Sequence, residues 1–226
     1  MTAEVDSERP SGPRSRKGAQ TRARLVEAAK AVFEEDGFRD TRITDIAERA
    51  GLSHGSFYHY FDSKEQIFRE VAEAMDDHLS APLGDVALAA PTEATPRERI
   101  REGNRNFLES YRKEARLISE IEQVSRYDKQ LNAARFAHQR DYGERLASSF
   151  RQLQRHGLVD AKLDPVVAAY AVGAMVTHFA ELWLVRGVLD CSFDTAVDQL
   201  TRLVANAVGL PDDESGGRPP RRRKPR

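Results

Sequence analysis

Apolar side chains recur along this chain at spacings of three and four, without the alternation that marks a half-buried strand. Leu25, Ala29, Val32 and Phe33 stand at i, i+4, i+7 and i+8, the stripe of an amphipathic helix, and Gly37 is a natural left-handed stop for it. Ile43, Ile46, Ala47 and Ala50 form a short second stripe that ends at Gly51. Ser53 caps a third helix running to about Tyr60. Asp62 and Glu65 have capping-box spacing and open a fourth, with Ile67, Val71, Ala74 and Met75 on its apolar face. Pro82, Gly84, Pro91 and Pro96 predict a loop over 81–96.

The remainder reads as long helices: 97–113 with Ile100, Phe107, Leu108 and Tyr111, then 115–126, then 128–156, which Gly157 ends. Asp164 followed by Pro165 is an N-cap and a first-turn proline. The helix they open, 165–187, is apolar nearly all round and is expected to be buried; a last helix covers 193–208. The class is all-α, with about nine helices: an N-terminal three-helix unit and a larger helical domain.

Composition narrows the function classes. Of 226 residues, 40% are hydrophobic and 31% charged, enough for a packed core under a soluble surface. The single cysteine, Cys191, excludes an internal disulfide and a multi-cysteine zinc site. The first residues are polar, and the apolar run Val166–Val176 is too short to span a bilayer, so a cytoplasmic protein with no membrane partner is expected. Net charge is −1, yet both ends are basic. Arg9, Arg14, Arg16, Lys17, Arg22 and Arg24 occur without an intervening acid, which points to polyanion contact. Residues 1–17 and 211–226 lack apolar periodicity and are expected to be disordered basic arms around a DNA-binding domain at 18–64 and a ligand-binding and dimerisation domain at 65–210.

The helices at 43–50 and 54–60, joined by Gly51-Leu52-Ser53, have the form of a helix-turn-helix. Ile46, Ala47, Leu52, Phe57 and Phe61 supply an inner face. His54, Gly55, Ser56, Tyr58 and His59 are left outward, as polar or short groups suited to base edges and phosphates. Lys64 lies in the first turn of the next helix, where a cation opposes the helix dipole; phosphate contact would explain it.

The string GFRDTRITDIAERAGLSHGSFYHYFDSKE at 37–65 resembles the DNA-binding segment of the tetracycline-repressor (TetR) family of bacterial regulators, through Gly37-Phe38, Thr41, Ile46-Ala47, Ala50-Gly51, Ser53, Gly55, Phe57-Tyr58, Tyr60-Phe61 and Lys64. The resemblance covers roughly residues 18–70. It implies phosphate contacts from Tyr58 and Lys64, major-groove placement of Ser53, His54, Gly55 and His59, and a backbone position for Arg42 and Ile43. Many relatives carry Ser or Thr where Arg42 stands, so here the cap of that helix falls to Thr41 or is lost.

The resemblance also implies a homodimer through helices 165–187 and 193–208. It fits the small residues Ala168, Ala169, Ala171, Gly173 and Ala174 and the stripe Val197, Leu200, Val204 and Ala207. It implies a palindromic operator, repression and release by a small effector; the mainly apolar candidate residues point to an acyl or lipid-like ligand or a hydrophobic drug. Polar or aromatic residues on otherwise apolar faces are the candidate ligand contacts: Phe107, Tyr111, Phe136, Tyr142, Met175, His178, Phe179 and Trp183. An enzyme is not expected, since HExxH, GxSxG, P-loop and GxGxxG patterns are absent; neither is a metal site or any cofactor. The alternative reading is a non-specific architectural DNA-binding protein.

Overall fold

The computed structural model describes residues 16–88 and 94–210, with side chains for 16–80 and 94–210. The arms expected at 1–17 and 211–226 lie outside the described residues, except Arg16 and Lys17, with which the first helix begins. Among the described residues all regular structure is helical: α1 (Arg16–Asp40), α2 (Ile43–Arg49), α3 (His54–Phe57), α4 (Lys64–Leu88), α5 (Pro96–Lys113), α6 (Ala115–Ser125), α7 (Lys129–Arg155), α8 (Pro165–Ala180) and α9 (Phe193–Ala207). A π-helical turn, Glu181–Val185, extends α8.

Several starts and stops differ from expectation. Helix α4 runs through Pro82 and Gly84, where a loop was expected. One proline removes one i→i−4 bond, a cost a 25-residue helix can carry. The α4 cap is Ser63, not Asp62: Ser63 Oγ accepts from Gln66 N at 3.2 Å, and the Gln66 side chain accepts from Asp62 N. The cap is thus set one residue later than the Asp62–Glu65 spacing implies. Helix α5 carries a box the sequence reading passed over, in which Thr95 Oγ1 accepts from Glu98 N and Glu98 Oε2 accepts from Thr95 N at 2.7 Å.

The chain divides into two units. One holds the described residues up to Ala74 together with Glu120–Leu131, so its boundary lies well beyond the expected residue 64. The reason is its core. Ile67, Phe68 and Val71 of α4 complete an apolar interior with Leu25, Val32 and Phe33 of α1, Ile46 of α2, Phe57 and Phe61, all nearly inaccessible. The Phe68 ring meets Phe33 edge-on at 4.9 Å and Phe38 at 4.6 Å. Arg69 pairs with Asp128 at 2.9 Å, fastening the 120–131 segment. Partial burial of Asp128 works against its charge, but bonds from the Leu131 amide and Arg69 outweigh this and hold its carboxyl below the ordinary range.

The second unit comprises Met75–Ser119 and Asn132 onward. Helices α5 and α9 are joined by a buried bond from Asn104 Nδ2 to Thr201 Oγ1, flanked by the pairs Arg101–Asp198 and Arg105–Asp194. On α7, Gly143 lets the Tyr170 ring lie against the backbone; a Cβ there would stand 2.7 Å from Tyr170 Cζ. Helix α8 is not buried all round, as its composition predicts. Ala169, Val172, Val176 and Ala180 face the unit's interior, while Val167 is 67% and Tyr170 39% exposed. With its π-turn, Pro165–Val185 is longer than the run 166–176 and reaches the length and apolarity of a membrane span, which the core helices of globular proteins also reach.

Candidate functional site

Local chemistry builds the α2–α3 element. Helix α2 starts at Ile43 with Arg42 in extended N-cap geometry. Arginine offers no side-chain acceptor. Instead Asp45 Oδ2, three residues on, accepts from Arg42 N at 3.1 Å. Thr41 does not take over the cap, because its hydroxyl donates back to Gly37 O at 2.6 Å. At the other end Gly51 adopts φ +66°, which lets Leu52 N reach Ala47 O and Gly51 N reach Glu48 O, both at 2.9 Å. Arg24 of α1 donates to Ala50 O and holds the turn from outside. Arg22 pairs with Glu70 and lies over the Phe61 ring at 4.5 Å. These two cations of the basic N-terminal run are therefore engaged within the unit rather than displayed to a polyanion.

Helix α3 is a single α-turn of four residues, continued by tighter turns to Tyr60 rather than by the longer helix expected. Ser53 Oγ accepts from Ser56 N at 3.2 Å and lies 2.8 Å from Ser56 Oγ. Both hydroxyls thus take part in the cap, and each keeps hydrogen-bonding capacity beyond it. Phe57 and Phe61 are buried as expected; His54, Gly55 and His59 are exposed, Tyr58 is 48% exposed, and Ile43 is half-buried. The Tyr58 ring stands edge-on to His54 at 5.2 Å, so the two rings share one outward surface. Gly55 has ordinary backbone angles and nothing within 4 Å of where a Cβ would be.

Lys64 has partners within the chain. Its Nζ donates to Phe38 O at 2.6 Å, Thr41 O at 2.8 Å and Arg39 O at 3.2 Å, which accounts for all three ammonium hydrogens. It also lies over the Phe38 ring at 4.7 Å. The cation that is misplaced at the start of α4 is well placed at the end of α1, where free carbonyls gather.

The second unit contains a cleft of about 580 Å³, including its mouth, among α5, α7, α8 and α9. Ile100, Leu146, Phe150, Val172 and Val176 are among the side chains that make its walls apolar, and Arg99, Asn104 and Tyr142 are its polar groups. Of the expected ligand contacts only Tyr142 lines it. Burial raises the Tyr142 phenol to about 12, against a smaller opposing pull from Arg145, so it stays a neutral hydrogen-bonding group. Phe107 and Tyr111 are core, and Phe136 is 61% exposed. His178 is exposed and its Nδ1 lies 3.1 Å from Glu181 Oε2. Trp183 stacks between Phe179 and Phe193 at 5.8 and 6.1 Å. Met175 is half-buried outside the cleft lining. Asn104 was missed, although a lone amide in the stripe Ile100, Phe107, Leu108, Tyr111 is a legible signal. Among the described residues no cluster of His, Cys, Asp and Glu could hold a metal ion.

Residues 25–71 match the model of the bacterial regulatory proteins of the tetR family. The chain is 27% identical over 184 residues to the HTH-type transcriptional regulator YdgC of Bacillus subtilis, across 77% of this chain and 86% of YdgC. It is 40% identical over 79 residues to the HTH-type transcriptional repressor KstR2 of Mycobacterium tuberculosis, a match that spans only 38% of KstR2. Among solved structures, a TetR-family transcriptional regulator from Mesorhizobium loti superposes with a TM-score of 0.69 at 22% identity, covering 85% of this chain and 98% of that one. Salmonella enterica GusR superposes with a TM-score of 0.67 at 20% identity, covering 84% and 96%. At such identities the structural likeness establishes the fold. These relatives are transcriptional regulators, not enzymes.

Proposed function

The chain belongs to the TetR family of bacterial transcriptional regulators, and from that premise we propose that it represses transcription as a homodimer on a palindromic operator. A mainly apolar small molecule releases it by occupying the cleft of the second unit. Gly55 carries the DNA-facing part of the reading. A glycine inside a helix costs up to about 1 kcal/mol relative to alanine. Here neither φ nor packing requires it. Its reason lies outside the chain, in a partner that approaches the α3 backbone closely. His54, Tyr58 and His59 flank it on the exposed surface, and Arg42 stands exposed at the start of α2. These groups, with Ile43 beside them, are the proposed contacts; phosphate binding is assigned to Tyr58 and Arg42.

The test separates folding from binding. Gly55→Leu should leave thermal stability equal or higher by up to about 1 kcal/mol. It should weaken binding to an operator selected from a random duplex library by at least about tenfold, since the added bulk holds α3 off the duplex. Unchanged operator affinity would remove Gly55 from the interface. A chain that selects no sequence at all, and binds every duplex with the same steep salt dependence, would favour the architectural alternative.

Repression is proposed by likeness to KstR2, a transcriptional repressor. The effector class follows from the cleft. Its walls are apolar, and Asn104 and Tyr142 offer two hydrogen-bonding groups for an otherwise greasy ligand. A hundredfold weakening of operator binding requires about 2.7 kcal/mol of preference for the DNA-incompetent state.

A further inference from the structure

We propose that Glu120 is a positioning residue for the DNA-binding helices, gripping the backbone that leads into α2 from the side opposite Lys64. The inference rests on the DNA-binding role proposed above. Gly37, with φ 77° and ψ 164°, breaks the helical path of α1 just before the Phe38 amide. Glu120 Oε2, 82 residues away on α6, accepts from Phe38 N at 2.9 Å. Its carboxylate also fills the space beside Gly37, 3.3 Å from where a Cβ would stand, so the glycine serves both the turn and the close approach of the acid. On the carbonyl side, Lys64 takes Phe38 O, Arg39 O and Thr41 O. The segment 38–41 is thus held through its N–H by an anion and through its C=O groups by a cation, and Arg42, the next residue, is the N-cap of α2.

Both grips come from helices that the two units share. Lys64 opens α4, which passes to the second unit at Met75; Glu120 begins the part of α6 that follows Ser119 of that unit. Neither side chain needs to touch DNA to affect it. A displacement of either helix along its axis pulls on the main chain before α2, because hydrogen bonds to ionised groups are among the stronger ones and are not easily exchanged for water when part-buried.

Charge makes the test decisive. Removing a carboxylate near a DNA-binding surface should, by electrostatics alone, tighten binding. Positioning predicts the reverse. In the full-length chain, Glu120→Ala should weaken operator binding by about tenfold, corresponding to loss of one charge-assisted hydrogen bond, with an unchanged slope of log affinity against log salt. Glu120→Gln loses the same charge but keeps an acceptor, and should restore most of the affinity. Lys64→Met should likewise lower affinity at constant slope; a slope reduced by about one unit would make Lys64 a phosphate ligand and overturn the two-sided grip. Binding by Glu120→Ala at or above the wild-type affinity would overturn it equally. Hydrogen exchange reads the same contact without DNA: Glu120→Ala should speed exchange at Phe38 and across Ile43–Arg49, and acceleration confined to Phe38 would sink the proposal. Failure of the wild-type chain to select any operator, with the exchange effect intact, would instead reject the DNA-binding role while leaving the grip standing.

Discussion

The Val167→Asp chain is expected to sediment as a folded monomer and to lose most of its operator binding. Helix α8 has two apolar faces, and its own unit covers only one of them. Ala169, Val172, Val176 and Ala180 are buried, whereas Val167 is 67% exposed, and Leu203 on α9 is 53% exposed. Only 22% of the apolar window within Pro165–Val185 is buried. An apolar helix left this open calls for a partner, and a second copy of the same pair of helices is the proposed one. A carboxylate at position 167 stays hydrated in the monomer, so monomer stability should change by no more than about 0.5 kcal/mol. In the dimer the charge must be desolvated in apolar surroundings, which costs several kcal/mol. Dimerisation should therefore weaken by about a thousandfold, or roughly 4 kcal/mol, with operator binding falling in parallel. Sedimentation equilibrium combined with operator titration checks both. A wild-type chain that is monomeric at micromolar concentration, or a variant that still dimerises, would exclude α8 from the interface. Flotation of the wild-type chain with lipid vesicles would assign the exposed face of α8 to a bilayer instead.

The second large effect concerns Phe68. It is fully buried and is the ring on which Phe33 and Phe38 converge. Phe68→Ala removes these contacts and leaves a cavity that rigid helices cannot fully close, a loss of about 3–5 kcal/mol. Native domains are stable by only about 5–15 kcal/mol in total, so the DNA-binding unit should be close to unfolding at 37 °C. Denaturant unfolding followed by circular dichroism should show one transition moved to much lower denaturant, with operator binding lost. A shift worth less than about 1 kcal/mol would show that the unit does not depend on this aromatic centre. The same substitution distinguishes the two boundaries: with a domain ending at residue 64, Phe68 would belong to the other unit and the DNA-binding transition would not move.

Much of the DNA-binding element was legible because its determinants are close together in the chain. Gly51 turns the backbone for bonds reaching back five residues or fewer, and Ser53 caps through Ser56. The burial of Phe57 and Phe61 beside exposed Tyr58 and His59 follows from helical spacing alone. The same local reasoning does not reach the contacts of Lys64. Its position in α4 was read against that helix's own dipole, but its partners are 23 to 26 residues earlier. At Pro82 a turn-forming residue predicts a loop, but the long helix α4 continues through it. The ligand residues were hardest to place, because cavity lining depends on which faces of four helices meet. Trp183 and His178 find their partners among neighbours on α8, its π-turn and α9 rather than in the cleft.

The sequence by itself determined the all-helical class, the caps at Ser53 and Asp164, the glycine turns at Gly37, Gly51 and Gly157, and the surface formed by His54, Gly55, Tyr58 and His59, since each depends on groups within about one helical turn of one another. Tertiary structure decided the partners of Lys64 and Glu120, the extension of the DNA-binding unit to Ala74 and to 120–131, the location of the cleft, and the uncovered face of α8. A hydrogen bond between residues 82 positions apart leaves no periodic trace in the chain, and neither does the burial of one face of an apolar helix rather than the other. Both arise only when distant helices come within a few ångströms and must satisfy their polar groups or exclude water together.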